Sequence, residues 1–222
     1  MSIKSKLLEI KSAVPQHVTL VAVSKTKPVS ELMEAYEAGQ RIFGENKIQE
    51  MAEKFEQMPK DIQWHMIGHV QTNKVKYMAP FVSLIHGVDS LKLLQEIDKQ
   101  AKKNNRVIDC LLQIHIAEEE TKFGLDEKEL DEILKQVQQD NENFKNVKIV
   151  GLMGMATFTE NQDQIKKEFL HLKSIYDNHQ QVTTSNLKLE TLSMGMSGDY
   201  HLAISCGSTM VRIGSSIFGT RN

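Results

Sequence analysis

Lys25 is the residue whose position most clearly predicts chemistry. It lies two residues after an apolar run that ends at Val23, in the segment Val21-Ala-Val-Ser-Lys25-Thr-Lys-Pro28. Burial against a dry wall of β-structure lowers the pKa of a lysine, because it disfavours the charged form. The neutral amine can then form an imine with an aldehyde. The alternative is an ordinary surface lysine at a strand end. The neighbouring Lys27 precedes Pro28 and is expected to be solvated.

Two segments rich in glycine and serine near the C-terminus predict a phosphate site. Each follows an apolar run, and their sequences are Ser193-Met-Gly-Met-Ser197-Gly-Asp-Tyr and Gly214-Ser-Ser-Ile-Phe-Gly219. Glycines such as Gly214 permit close approach of the backbone, and Ser197 and Ser215 add hydroxyl donors. Loops of this kind hold phosphate with backbone N–H groups and a short helix N-terminus. Turn glycines and helix-capping serines are the alternative interpretation.

Arg212 lies inside an apolar run, Met210-Val-Arg-Ile-Gly214. A buried arginine needs a partner, because an unpaired charge in an apolar environment is very costly. The sequence leaves two interpretations open. Arg212 pairs with Glu45 or Asp199 in a structural role, or it faces a ligand.

The histidines do not predict a metal site. His65 and His69 are four residues apart, but Gly68 and a predicted strand-to-loop transition lie between them, so they do not share a helix face. Ser197, Asp199 and His201 are neighbours in one loop, which does not make them a catalytic triad.

Short apolar runs alternate with longer segments of helical period, and these elements must position the residues above. Strands are predicted at 18–23, 41–43, 64–67, 81–86, 107–116, 147–152, 187–192 and 210–213. Helices are predicted at 30–38, 47–57, 72–78, 91–103, 128–138, 164–177 and 200–205, with Ser30 as the N-cap of the first. Strands that alternate with helices pair in parallel.

About eight strand–helix units in 222 residues predict an α/β fold, a compact (β/α)8 barrel of the TIM type. An open doubly wound sheet is the alternative. No linker rich in Gly, Pro or Ser divides the chain, so residues 1–222 are expected to form a single domain. The active site of such a barrel lies at the C-terminal ends of its strands, where Lys25 and the two late segments fall.

The composition excludes several classes of protein. The chain has 27 Lys+Arg against 29 Asp+Glu, and 40% of its residues are hydrophobic, as in an ordinary soluble protein. Without excess positive charge, binding to nucleic acid or anionic lipid is not expected. No apolar run approaches the ~18 residues that cross a bilayer. Cys110 and Cys206 fit buried thiols, and the N-terminus offers no signal-peptide core, so a reducing cytoplasmic location is expected.

The sequence resembles the YggS/PROSC family of pyridoxal-phosphate-binding homeostasis proteins over nearly its whole length. The matching segments are Ala22-Val-Ser-Lys25-Thr-Lys-Pro28, Phe43-Gly-Glu-Asn46, Trp64-His65-Met-Ile-Gly68, Gln71-Thr-Asn73-Lys74, Gly151-Leu-Met153, Leu192-Ser-Met-Gly-Met-Ser197 and Gly207-Ser-Thr-Met-Val-Arg-Ile-Gly214. So many ordered matches are specific to the family.

The resemblance implies a barrel like the N-terminal domain of alanine racemase, holding pyridoxal 5'-phosphate (PLP) as an imine with Lys25. It also implies that Arg212 faces the pyridine nitrogen. The positions that would hold the phosphate match Ser197, Gly214 and Ser215, and further pocket-lining positions match Asn46, His65 and Met196. The sequence departs from the family at His115, where relatives often carry asparagine, and at the loop Met153-Gly-Met155-Ala-Thr.

The same residues favour a carrier over an enzyme. A guanidinium does not give up its proton to the pyridine nitrogen, so the cofactor would be a weaker electron sink. The tyrosine that alanine racemase takes from a second domain has no evident counterpart here. We therefore expect a monomeric protein that stores PLP or delivers it to PLP-dependent apoenzymes. A PLP-dependent racemase or lyase is the alternative, and an aldolase-like barrel using Lys25 without cofactor stays open.

Overall fold

The protein folds as a closed parallel β-barrel surrounded by helices, which confirms the predicted fold class. The computed structural model describes residues 2–118, 123–140 and 143–220. The strands are β1 Thr19–Val23, β2 Ile42–Glu45, β3 Gln63–Met66, β4 Leu84–Val88, β5 Ile108–Gln113, β6 Val147–Met153, β7 Thr183–Thr184, β8 Leu187–Met196 and β9 Met210–Ile213. The helices are α1 Ile3–Ala13, α2 Val29–Glu37, α3 Ile48–Gln57, α4 Val75–Met78, α5 Leu91–Lys103, α6 Glu127–Gln139, α7 Gln162–His179, α8 Tyr200–Ser205 and α9 Ser215–Phe218, and a 3-10 turn covers Thr72–Lys74.

The barrel closes because the two ends of the strand series pair with each other. The strands lie in the order β6-β5-β4-β3-β2-β1-β9-β8, and β6 also pairs with β8 in parallel. The open doubly wound sheet is therefore wrong. The short β7, which the sequence did not predict, pairs antiparallel with the beginning of β8 through Thr184 and Leu187.

Apolar side chains fill part of the barrel interior. A separate interior cluster consists of Val21, Leu84, Leu111, Val150, Met153 and Met210. A second, larger core lies between the strands and the helices and includes Leu32, Phe43 and Trp64. Strands that are buried on both faces carry continuous apolar runs, as the sequence does around β1 and β5. Buried polar side chains, among them His65, His86 and Arg212, occupy other positions on the barrel strands.

The N-cap of α2 and the presence of α1 differ from the prediction. Helix α2 begins at Val29, with Pro28 as its N-cap, so Ser30 lies inside the helix rather than capping it. Pro28 takes an extended conformation there, which suits the position before a helix. Helix α1 was not predicted; it buries Leu7 and Ile10 and packs against α2 and α9. No helix in the described parts of the chain is both long and apolar enough to cross a membrane.

Candidate functional site

A pocket of about 540 Å³ opens at the C-terminal end of the barrel. Its volume is within the usual range for a small-molecule site. Seven of the eight residues proposed from the sequence line it, namely Lys25, Asn46, Met196, Ser197, Arg212, Gly214 and Ser215. His65 is the eighth, and the structure places it below the pocket, inside the barrel.

Lys25 reaches the pocket because side chains alternate along β1 and continue to alternate just after it. Val23 and Lys25 both line the pocket, whereas Ser24 points the other way and is buried. The loop is fixed on both sides of Lys25. The Ser24 carbonyl accepts from Lys54 Nζ at 2.8 Å, and the Thr26 N–H donates to the Glu50 carboxylate. Thr26 has a φ of 64°, an uncommon conformation for a threonine.

Behind this loop lies a cluster of buried charges, between the barrel and α3. Lys54 Nζ is 2.7 Å from Oε1 of both Glu45 and Glu50. Ser24 Oγ donates to Glu45 at 2.6 Å. Burial raises the pKa of Glu45, and the charge of Lys54 partly offsets this. Glu45 therefore pairs with Lys54, and the proposed structural pair of Glu45 with Arg212 does not form.

Lys27 is anchored in the pocket wall, and the expectation that it is solvated was wrong. Only 16% of its side chain is exposed. Its Nζ donates to the carbonyl of Phe218 at 2.9 Å and lies 3.7 Å from a carboxylate oxygen of Glu31. Lys27 thus ties helix α9 to α2, and Lys25 is the other lysine among the described residues that line the pocket.

The two glycine- and serine-containing loops meet at the pocket. The N–H of Gly214 donates to Ser197 Oγ at 3.1 Å, which joins the loop after β8 to the loop after β9. A Cβ at Gly214 would lie 3.0 Å from the carbonyl oxygen of Val23, so only glycine fits easily. Gly198, also on the pocket, has open space around it. Ser215 begins α9, where the first amides have no acceptor within the helix.

Arg212 is 3% exposed and reaches the pocket from β9. It donates from one terminal nitrogen to Ser193 Oγ at 2.6 Å and from the other to the carbonyl of Gly154 at 3.1 Å. Within the described residues, no carboxylate lies within ion-pair distance of it. Burial lowers the pKa of Arg212 to about 10, and the charge of Asp199 opposes this shift. Arg212 is therefore still a cation at neutral pH.

His65 and His86 form a buried pair under the pocket. His65 Nδ1 lies 3.0 Å from His86 Nε2, and His86 Nδ1 lies 3.2 Å from Ser193 Oγ. Burial lowers the pKa of His65 to about 3 and that of His86 well below its ordinary value. Both rings are neutral at pH 7. Sequence reasoning missed His86 and Ser193, although polar residues inside apolar strands were a usable signal.

The remaining wall comes from Asn46, Met196 and the loop after β6. The backbone of Asn46 packs on Gly68, where a Cβ would lie 2.5 Å from the Asn46 carbonyl oxygen. The loop after β6 adds Met155, Thr157 and Phe158 to the pocket. Glu168 holds that loop by accepting from the N–H and the hydroxyl of Thr157. Met155 lines the pocket, whereas Met153 packs in the interior cluster below.

No group of three or more potential metal-ligating side chains occurs in residues 2–118, 123–140 and 143–220. The donors around the pocket are instead an amine, a guanidinium, hydroxyls and backbone amides. This set suits an organic anion with a phosphate group and a reactive carbonyl.

The chain belongs to the family described as alanine racemase, N-terminal domain, whose model matches residues 1–222. It is 40% identical over 203 residues to the pyridoxal phosphate homeostasis protein of Aquifex aeolicus (strain VF5), covering 91% of this chain and 86% of that relative. This confirms the resemblance that the sequence motifs indicated.

Solved structures of other proteins have the same fold as this chain. PipY of Synechococcus elongatus PCC7942, solved without PLP, matches with a TM-score of 0.91 and 34% identity, over 98% of this chain and 100% of PipY. PipY with PLP bound matches with a TM-score of 0.86 and 33% identity, over the same shares of both chains. Alanine racemase of Clostridium difficile 630 shares the fold, with a TM-score of 0.80 and 14% identity; the match covers 99% of this chain and 60% of that one.

Proposed function

We propose that this protein binds PLP covalently through Lys25 and acts in PLP homeostasis. The observation that carries the proposal is one pocket that gathers Lys25, Arg212, Ser197, Gly214 and Ser215, in a chain 33% identical to a PLP-bound protein. When bound, PLP supplies an aldehyde that reacts with amines and a conjugated ring that withdraws electrons. The Lys25 amine would form a C=N bond with the aldehyde carbon, releasing one water.

The two linked loops are proposed to hold the phosphate. Ser197 and Gly214 already bond to each other across the loops, and Ser215 offers a hydroxyl at the start of α9. Glycines at Gly198 and Gly214 leave room for the backbone to approach phosphate oxygens. Asn46 and Met196 would contact the ring from the remaining walls. His65 lies below the pocket and would contribute to the site through its hydrogen bond with His86.

The pocket supports a carrier better than an efficient enzyme. The titratable side chains among its described lining residues are Lys25, Lys27, Asp199 and Arg212. Lys27 is engaged with Phe218 and Glu31, and Arg212 keeps its proton at neutral pH. A cationic arginine beside the ring nitrogen leaves that nitrogen unprotonated, which weakens electron withdrawal. We infer that the protein buffers PLP or delivers it to apoenzymes, as a monomeric, single-domain, cytoplasmic protein.

A second candidate is a PLP-dependent racemase or lyase. The match to the alanine racemase family over the whole chain favours it. Incubation with D- and L-amino acids distinguishes the two, because a carrier should show no sustained turnover. Turnover at or above ~1 per second would favour the enzyme.

Borohydride reduction followed by intact-mass measurement and peptide mapping tests the proposal directly. We expect one PLP adduct on Lys25, no adduct in Lys25→Ala, and an adduct still on Lys25 in Lys27→Met. An adduct on Lys27, or an unchanged adduct mass in Lys25→Ala, would move the bond elsewhere. Delivery is tested by mixing the loaded protein with an apo PLP enzyme and measuring the enzyme's recovery against an equal concentration of free PLP.

A further inference from the structure

Hydrogen bonds lead from Arg212 through Ser193 and His86 to His65, deep in the barrel. The joined atoms are 2.6 Å apart from Arg212 to Ser193, 3.2 Å from Ser193 to His86, and 3.0 Å from His86 to His65. Ser193 and His86 are fully buried, so water does not compete for these bonds. Neither residue lines the pocket.

The donors and acceptors of these residues, together with the partners within reach, give each bond in this series a direction. A guanidinium has only donors, so Ser193 Oγ must accept from Arg212. Among the described residues His86 Nδ1 is the one acceptor within reach of the single hydroxyl hydrogen of Ser193, so this hydrogen points to Nδ1, which must be unprotonated to accept it. A neutral His86 carries its proton on Nε2 and donates it to His65 Nδ1.

The same argument assigns the protonation of both rings. His86 and His65 are each neutral and protonated on Nε2. A proton on His86 Nδ1 would leave the Ser193 hydroxyl hydrogen without an acceptor, and protons on both ring nitrogens would also place a second positive charge near Arg212. The low pKa of His86, to which both His65 and Arg212 contribute after burial, agrees with this assignment.

We propose that Ser193 and His86 are positioning residues, which hold Arg212 through a one-way series of neutral acceptors and direct its positive charge at the pocket. This inference rests on the proposed function, because PLP is the ligand that Arg212 would meet. The carbonyl of Gly154 fixes the other terminal nitrogen. With two neutral oxygens holding it, the guanidinium keeps one orientation and its full charge.

The first experiment needs no cofactor. Nitrogen-15 NMR of the histidine rings in the apo-protein should show His86 and His65 neutral and protonated on Nε2 at pH 7. His86 protonated on Nδ1, or on both nitrogens, would overturn the proposal whether or not the protein binds PLP.

The second experiment compares two buried serines. Ser193→Ala should weaken PLP binding about tenfold and shift the absorption maximum of the bound cofactor, because Arg212 loses a charge-assisted hydrogen bond. Ser208→Ala is the matched control, since Ser208 is equally buried but bonds only to backbone carbonyls such as that of Met194. Its affinity and spectrum should match those of the parent. Equal behaviour of the two variants would refute the positioning role.

Two substitutions of His86 distinguish its role as a hydrogen-bond acceptor from its role in packing. The side-chain oxygen of His86→Asn can accept from Ser193 in place of Nδ1, so its PLP affinity should stay within about threefold of the parent, whereas His86→Leu should lose about tenfold. Equal losses in both variants would argue for simple packing. If the parent protein fails to bind PLP at all, the proposed function fails, while the NMR result still decides the hydrogen-bond chain.

Discussion

The protein buries two cations close to the same pocket, and the groups that contact them differ in charge. Lys54, 5% exposed, lies between the barrel and α3 and contacts the carboxylates of Glu45 and Glu50. Arg212 lies inside the barrel and, within the described chain, contacts only neutral oxygens of Ser193 and Gly154. Lys54 is thus in direct ion pairs, whereas Arg212 forms none with the described residues and the carboxylate of Asp199 acts on it only from beyond ion-pair distance.

This difference separates a structural charge from one that is held for a ligand. A buried charge without a counter-ion is costly, so a fold that needs only packing neutralises it, as at Lys54. Lys54 fixes the loop that carries Lys25 by bonding to the carbonyl of Ser24. A buried cation that faces a cavity without an ion pair is typical of a functional site. Arg212 fits the second description and Lys54 the first.

The largest effect is expected from removing the neutralised cation. Lys54→Met leaves Glu45 buried without its partner and should lower the free energy of unfolding by about 3–5 kcal/mol, measured by urea denaturation of the apo-protein. Replacing both residues, Glu45→Gln with Lys54→Met, removes both charges and should recover much of this loss. A loss below about 1 kcal/mol in the single variant would make the pair a weak surface-like contact.

Removing Arg212, the cation without an ion pair, should weaken ligand binding more than it destabilises the fold. Arg212→Gln should weaken PLP binding by about 2–3 kcal/mol, the value of a hydrogen bond to a charged group, while the apo-protein loses less stability than Lys54→Met does. Equilibrium titration with PLP and urea denaturation of the same preparations measure both quantities. The comparison fails if Arg212→Gln binds PLP like the parent but unfolds as easily as Lys54→Met.

Sequence patterns predicted the barrel and most of the pocket because both depend on local signals. Apolar runs predicted all eight barrel strands, and strand ends predicted Lys25, Ser197 and Gly214 at one rim. Family resemblance added Asn46 and Met196, which do line the pocket. The helix N-cap at Pro28 was missed because Ser30 is the better capping residue by type, and the fixed conformation of proline prevailed.

The partners of buried charges could not be predicted, because they depend on which strand faces are brought together in the closed barrel. Glu45 was a candidate partner for Arg212, but it lies on the outer face of β2, whereas Arg212 points inward. His65 and His86 are 21 residues apart in sequence and meet only because β3 and β4 are neighbours. Spacing along the chain carries no such information.

Acidification should change the free energy of unfolding in opposite directions through the two regions, that of His65 near Arg212 and that of Glu45 beside Lys54. His65 has a pKa of about 3 in the folded protein against 6.5 as its ordinary value. Below pH 6.5 the unfolded chain therefore binds a proton that the native state does not, and His65 should reduce stability by about 2 kcal/mol between pH 7 and pH 5. Burial raises the pKa of Glu45, so the native state takes up a proton more readily than the unfolded chain does. It therefore gains stability as the pH falls through the pKa that Glu45 has in the folded protein.

Urea denaturation at pH 7 and pH 5 measures this difference. His65→Asn, which keeps an acceptor for His86 but does not titrate, should show about 2 kcal/mol less loss on acidification than the parent. Glu45→Gln should instead lose slightly more than the parent, because the stabilising protonation of Glu45 is gone. If both variants change the pH dependence in the same direction, the two regions are not electrostatically distinct.

The smallest effects are expected at the proposed phosphate-binding loops, where several neutral groups would each contribute one hydrogen bond to the phosphate. Ser197→Ala and Ser215→Ala should each weaken PLP binding by about 1 kcal/mol, the usual net value of one hydrogen bond.

Pyridoxal, which lacks the phosphate, provides the control ligand, and its weaker binding should be unchanged in Ser215→Ala. Arg212→Gln should weaken both ligands alike, because the ring nitrogen is common to them. Equal losses for PLP and pyridoxal in Ser215→Ala would place the phosphate away from α9, since a hydroxyl that bonds the phosphate cannot affect a ligand without one.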